Sequence, residues 1–222
     1  LLPEDYAAFA QHLVRFIQSY ASQGIHIAAL TPENEPSNGN LGIPFPGMTL
    51  TVPAESDFVA DDLAPTLRSA GLATRIYGTD NSWNQVLWGA GLFSGPAASL
   101  LAGIAWHCYF GSPTDMVWFH QTYPGADQLV DECSPEIRPL FTAEFLISSL
   151  RSWASSVALW NLALDPAGGP VQPPNSGCAG CNGVITVDEA DRLGDGHIRV
   201  GSPGAPRRVI PEPGRVGWGR TP

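Results

Sequence analysis

The chain has 222 residues, 44% of them hydrophobic and 14% charged, with a formal net charge of -10. That composition supports a sizeable core, in one large domain or two small ones, and excludes wholesale disorder. The acidity excludes nucleic acid as a partner, because a phosphate-binding face needs clustered cations, and every basic residue here other than histidine is Arg.

In chain order, Tyr6, Phe9, Ala10, Leu13, Phe16, Ile17 and Tyr20 recur at three- and four-residue intervals, which predicts an amphipathic helix ending near Gly24. Residues 25–30 are short and apolar, and Pro32 halts them, as in a buried strand. After a Gly/Pro-rich loop, residues 54–70 read as a helix with Phe58, Val59, Leu63 and Leu67 inward and Gly71 as its stop. The alternation then repeats. Strands are expected at 74–78, 103–106, 128–130 and 157–160, and helical segments at 83–101 (broken near Gly95-Pro96), 114–123 and 139–156.

Five strands alternating with helices indicate a parallel α/β sheet or barrel. Polar and aromatic residues follow the strand ends: Glu33-Asn34-Glu35, Asp80-Asn81, His107 with Tyr109, Asp131-Glu132, and Trp160-Asn161. In a (β/α)8 barrel all such ends converge on one catalytic mouth. An open doubly wound sheet would carry a Gly-rich phosphate loop instead, and the sequence has none. The expectation is a partial (β/α)8 TIM barrel over 1–191, holding about the last five strand–helix units. Its first strands are expected to be missing.

Residues 1–191 carry 19 acids against 5 Arg, whereas 192–222 carry 2 acids against 6 Arg. This reversal of sign marks a boundary, and the Gly/Pro/Arg-rich tail at 192–222 reads as irregular. No run approaches the roughly 18–20 apolar residues of a membrane span. The first residues have neither a starting Met nor the layout of a signal peptide, and four Cys leave the compartment open.

Retaining glycosidases need two carboxyl groups about 5–5.5 Å apart, one protonated and one ionised. Glu35 and Glu132 end the first and fourth strands, from which side chains can meet across the mouth. Glu35 lies in an apolar, Pro-bounded turn, where desolvation and its partner's charge are expected to raise its pKa as general acid/base. Glu132, as nucleophile, needs donors to stay ionised, and hydroxyls or His107 could supply them. Asp131 is a rival; strand alternation allows only one of Asp131 and Glu132 to face the mouth. Glu144, beside Leu140 and Phe145 in a helix, is a weaker rival with a structural or solvent-facing reading.

Thr31-Pro32-Glu33-Asn34-Glu35-Pro36 resembles the acid/base motif of retaining (β/α)8 glycosidases. With the stretches Gly103–His107–Tyr109, Asp131-Glu132-Cys133-Ser134 and Leu159-Trp160-Asn161 through Asp165 to Pro170, the chain resembles glycoside hydrolase family 30 over roughly residues 4 to 191. This is the family of acid β-glucosylceramidase, and the resemblance implies a C-terminal β-sandwich that is expected to be absent from this chain. The resemblance implies Glu35 as acid/base and Glu132 as nucleophile. It places Asn34 on the sugar 2-hydroxyl, His107 and Tyr109 beside the nucleophile, and Trp160 under the sugar ring with Asn161 at the rim. Asp80 is either a support behind these residues or purely structural. The activity implied is hydrolysis of β-glucosyl linkages, glucosylceramide-like, by double displacement without a cofactor. Alternatives are the same mechanism on β-1,6-glucan or xylan, and an inactive fragment with at most residual sugar binding. Members of the family are often secreted or lysosomal.

Cys178-Ala-Gly-Cys181 has the spacing of half a zinc site, but no second pair follows, so a local disulfide or two thiols is expected and no metal. His12, His26 and His120 read as core or surface residues, and Trp83, Trp88 and Trp118 as packing. The loop 41–48, with Phe45, is a candidate aglycone rim.

Overall fold

A computed structural model describes residues 1–38, 47–134, 141–165, 168–169 and 183–187, and the backbone of 198–200 and 208–210. The chain divides into two compact units, Leu1–Cys133 with Leu146–Ala158, and Ser134–Phe145 with Leu159–Pro222.

The first unit opens with helix α1 (Tyr6–Ser22), which buries Tyr6, Ala10, Val14 and Ile17 and leaves Phe16 and Tyr20 outside, stacked on each other. Gly24, at φ 78°, turns the chain out of the helix as expected. Strand β1 (Ala29–Leu30) is shorter than the apolar run predicts, and Ile25 and His26 are exposed before it. Helix α2 (Val52–Asp57) starts on a Thr51 cap whose hydroxyl accepts from the Ala54 N–H, and it continues through a π turn (Phe58–Leu63) into α3 (Ala64–Ser69). Phe58, Val59, Leu63 and Leu67 are buried, as the periodicity demands.

Strand β2 (Arg75–Ser82) runs four residues beyond the expected end, because Asn81 and Ser82 still pair with the next strand. Helix α4 (Val86–Leu92), β3 (Leu101–His107), α5 (Pro113–Thr122), β4 (Asp127–Glu132), α6 (Phe141–Arg151) and β5 (Ser156–Val157) follow. The capping box of α5 is complete: Ser112 accepts from Thr114 N–H, and Asp115 accepts from Ser112 N–H. Gly103 is required where β3 lies beside the start of β4, since a Cβ there would run into the Asp127 carbonyl.

All five strands are parallel, in the order β1-β2-β3-β4-β5. Every crossover therefore steps the same way, and the order never reverses as it does at the switch point of a doubly wound sheet. This is a partial (β/α)8 barrel. The core behind it is aromatic and aliphatic: Trp106 packs edge-on against Phe119, and its indole N–H donates to Gln128, whose amide donates in turn to the Met116 carbonyl. The unit therefore buries a satisfied polar chain inside its apolar core.

In the second unit, β6 (Ala163–Leu164) pairs in parallel with β7 (Ile185–Thr186), and Asp165 closes a turn by accepting from the Gly169 N–H. The tail expected to be irregular contains an antiparallel pair, β8 (Ile198–Val200) with β9 (Arg208–Ile210). Its β-branched residues, Ile198, Val200, Val209 and Ile210, supply the strand preference that the surrounding Gly and Pro obscured. Cys178, Cys181, Phe45 and residues 41–46 lie outside the described residues.

Candidate active site

In a parallel sheet all C-terminal strand ends point one way, so the residues after β1, β2, β3 and β4 share one edge. Two irregularities shape that edge. Between β2 and β3 the register passes from Thr79↔Ala105 to Asn81↔Trp106, which leaves Asp80 bulged. Between β3 and β4 it passes from Trp106↔Val130 to His107↔Glu132, which leaves Asp131 bulged. A bulge re-aims the side chain it frees. The expectation that only one of Asp131 and Glu132 can face the site is thereby corrected: strict alternation fails at the bulge, and both carboxylates lie 3.9 Å from His107.

His107, fully buried, is the hub. Its Nδ1 lies 3.0 Å from Glu35 Oε1, and its Nε2 lies 2.9 Å from Asp80 Oδ1. The second oxygen of Asp80 accepts from the Thr31 hydroxyl at 2.5 Å, and the Asp80 carbonyl accepts from the Glu35 N–H at 2.9 Å. Asn38 donates to Glu35 Oε2 at 2.8 Å, and Tyr109 donates its hydroxyl to Glu132 Oε1 at 2.9 Å. One oxygen each of Glu35 and Glu132, with a ring nitrogen of His107, lie within 4.8 Å of one another. Glu35, Thr79 and Asp80 all have positive φ (48°, 73° and 46°), a backbone state that non-glycine residues keep only where surrounding contacts over-determine it.

The charges follow from this packing. Burial pulls the His107 pKa down, but hydrogen bonds to Asp80 and Glu35, with the charges of Asp80 and Glu132, outweigh it, and the value is pushed up to about 10. His107 is thus an imidazolium near neutral pH. Its hydrogen bond holds the Glu35 carboxyl below its usual range. The expected rise for Glu35 is therefore corrected: the apolar turn does desolvate it, but the cation beside it wins. Glu132 is raised by burial, against the pull of His107 and Tyr109. Asp131 is raised to about 8, by burial and by the charge of Asp80. Its Oδ1 is buried with no hydrogen-bond partner although the side chain as a whole is one-third exposed.

Glu35, Glu132, His107, Tyr109 and Asp80 are thus brought together, with Asn34 exposed next to Glu35. Trp160 and Asn161 belong to the second unit; Trp160 is exposed, and the Asn161 carbonyl accepts from the Val184 N–H. Glu144 is exposed in the first turn of α6. His12 is exposed, and His120 stacks on Trp153. Trp83 is buried, whereas Trp118 is 43% exposed. Two groups of described residues have the spacing of a cation site, Glu35-His107-Glu132 and Asp80-His107-Asp131. Each depends on an imidazole that uses both nitrogens as donors when charged, so neither offers a free His ligand near neutral pH.

Sequence reasoning missed three features. Cys108 and Cys133 form a disulfide between the residues that directly follow His107 and Glu132. Their positions at two neighbouring strand ends were the available signal. Asn38 supports Glu35 from the following turn. Glu55, on the inward face of α2, is buried and reaches the back of the Asp80 turn; its spacing from Phe58 and Val59 already places it on the core stripe.

The family model described as Glycosyl hydrolase family 30 TIM-barrel domain matches residues 4–177. The endo-1,6-β-D-glucanase BGN16.3 of Trichoderma harzianum is 34% identical over 189 residues, 82% of this chain and 37% of that protein. The lysosomal acid glucosylceramidase of Mus musculus is 29% identical over 184 residues, 73% of this chain and 35% of the mouse protein. Among solved structures, the endo-β1,6-glucanase BT3312 matches with a TM-score of 0.79 at 30% identity, covering 86% of this chain and 45% of that one. SrfJ from Salmonella typhimurium matches with a TM-score of 0.77 at 25% identity, covering 87% of this chain and 45% of that one. The chain spans less than half the length of each of these relatives.

Proposed function

The chain belongs to glycosyl hydrolase family 30, and on that premise we propose that it carries the catalytic pair of a retaining β-glycoside hydrolase acting on β-1,6-linked glucan. The observation that carries the reading is the approach of Glu35 and Glu132 to within 4.8 Å at the ends of β1 and β4. Retention needs carboxyl groups about 5–5.5 Å apart, whereas inversion needs about 6.5–9.5 Å to admit a water.

In this reading Glu35 gives a proton to the glycosidic oxygen while a Glu132 oxygen attacks the anomeric carbon, which breaks the glycosidic bond and forms a glycosyl ester. Glu35 then takes a proton from water, which attacks the same carbon and releases Glu132. The division of roles follows the resemblance of Asn34-Glu35-Pro36 to the acid/base motif. Because the hydrogen bond from His107 favours the ionised form of Glu35 at rest, the acid step draws its proton from His107 Nδ1, 3.0 Å away, and the proton that Glu35 later takes from water returns to that nitrogen. A sugar seated over the pair excludes water, raises the proton affinity of Glu35 and favours that transfer. Asp80 keeps the imidazole in place on its other nitrogen. Asn34, Trp160 and Asn161 keep the sugar-binding roles that the resemblance implies.

The substrate favoured moves from glucosylceramide to β-1,6-glucan. Both the Trichoderma protein and BT3312 are described as endo-1,6-glucanases, and each is at least 30% identical to this chain over more than four-fifths of it. The mouse glucosylceramidase is less similar over a shorter stretch. Two measurements on the intact protein test the reading. A 2-fluoro β-glucoside should label Glu132; label on Glu35, Asp131 or Glu144 reverses or removes the assignment. Reducing ends should be released from a β-1,6-glucan faster than glucose from glucosylceramide, and the opposite order returns the substrate to the lipid.

A further inference from the structure

Behind the site, and touching none of the carboxylates that would meet substrate, lies Glu55. It is 1% exposed, on the inner face of α2. Its Oε1 accepts from the Thr79 N–H at 3.0 Å, and its Oε2 accepts from the Trp88 indole N–H at 2.6 Å. Gly78, beside it, is closely packed: a Cβ there would stand 2.5 Å from Leu92 Cδ1 and 3.3 Å from Glu55 Oε1. Burial pushes Glu55 up to about 7, against the two donors, with the charge of Asp80 adding to the rise.

What Glu55 holds is the irregular part of β2. Thr79, a β-branched residue, has φ 73°, and Asp80 has φ 46°, so this turn persists only where neighbours fix it. The Thr79 N–H is anchored from behind by Glu55. From the front, Asp80 accepts the Glu35 N–H through its carbonyl, faces His107 Nε2 through Oδ1, and accepts the Thr31 hydroxyl through Oδ2. One residue thus holds both the backbone of the proposed acid/base and the imidazole that bonds its carboxyl. We infer that Glu55 is a positioning residue, which sets the Thr79–Asp80 turn and through it the placement of His107 and Glu35. This rests on the catalytic reading of Glu35 above.

A merely structural Glu55, there to satisfy Trp88 in the core, would affect folding alone. Two double variants of the intact protein separate the possibilities. In Glu55→Gln/Trp88→Phe the amide carbonyl can still accept from Thr79 with no competing donor; in Glu55→Leu/Trp88→Phe no acceptor remains. The first should keep kcat near that of Trp88→Phe. The second should lose about ten- to a hundred-fold in kcat with little change in KM, as expected when a reacting group is misplaced rather than a binding contact removed. Equal kcat in the two doubles overturns the inference.

If the leucine variant does not fold, Glu55→Asp, which draws the carboxylate back by one methylene, carries the same comparison. The titration of the His107 ring, followed by NMR, gives a readout that needs no turnover. It should move in Glu55→Asp and stay in place in Trp88→Phe, and an unmoved titration in Glu55→Asp counts against positioning. An inactive wild-type protein with a moved His107 titration would instead reject the catalytic reading and leave the positioning role standing.

Discussion

At Nδ1 of His107 stand two glutamates, Glu35 and Glu132; at Nε2 stand two aspartates, Asp80 and Asp131. The two sides hold the same functional group and differ in what holds it. The glutamates stand at strand ends on long side chains, and each has a side-chain donor of its own, Asn38 for Glu35 and Tyr109 for Glu132. The aspartates sit on two bulges that turn short side chains toward the ring. Asp80 is tied by Thr31 and His107, whereas Asp131 crowds it, with Oδ1 buried and unpartnered. Two carboxylates so close cannot both ionise freely, and burial together with the charge of Asp80 pushes Asp131 up. On the proposed reading, the glutamate side exchanges protons and bonds with a substrate, and the aspartate side holds the cation that serves it.

The largest effect should separate the two sides directly. Glu35→Gln should lower kcat on β-1,6-glucan by about 10²–10⁴-fold, the usual worth of a general acid/base. Asp131→Asn should cost about ten-fold or less, since it removes a crowded support and no reacting group. Equal losses in steady-state assays would erase the distinction.

Next in size is the disulfide, which ties the strand end of the shared imidazole to that of a glutamate, Cys108 after His107 and Cys133 after Glu132, 25 residues apart. Its removal by Cys108→Ala/Cys133→Ala should lower stability by about 3–4 kcal/mol, because the unfolded chain regains the freedom of that loop. Urea unfolding with an unchanged midpoint would show that the strand ends are held without it.

A smaller effect is expected from pH. Asp131 has a folded pKa of about 8 against an ordinary 3.8, and His107 one of about 10 against 6.5. Both folded values are raised, so the native state binds more protons than the unfolded chain between each pair of values. The stability due to Asp131 is complete below its unfolded pKa and is lost as pH rises toward 8; that due to His107 is lost as pH rises from 6.5 toward 10. The Tm should therefore fall as pH is raised from about 5 to about 8, and Asp131→Asn should lessen the fall. A steeper fall in the variant would place the proton on another group.

The smallest effect belongs to Tyr109→Phe. It removes one donor from Glu132 and should raise the pKa of that carboxyl further, with a loss in kcat of about ten-fold at most and little change in Tm. A loss as large as that of Glu35→Gln would make Tyr109 a direct participant.

Much of this edge of the barrel was legible in the sequence. The helix repeats, the short apolar strands and the polar residues at their ends are local patterns, and Asn34-Glu35-Pro36 is a local motif. The inward stripe of Phe58, Val59, Leu63 and Leu67 is buried as read. The edge strands were overread, since an apolar run becomes strand only as far as a neighbour pairs with it, and β1 pairs over two residues. The tail was underread, because its two short β-branched runs stabilise each other only once they are paired.

By itself, then, the sequence determined the alternation of strand and helix and the residue types that would gather at the strand ends, because both depend on spacing along a few turns of chain. The tertiary structure alone decided how those residues are charged and aimed. His107 meets Glu35 across 72 positions, and Glu55 meets Thr79 across 24. A bulge depends on the register of a neighbouring strand, and the pKa of a buried carboxyl depends on which cation packing sets beside it. Nothing local in the sequence encodes either one.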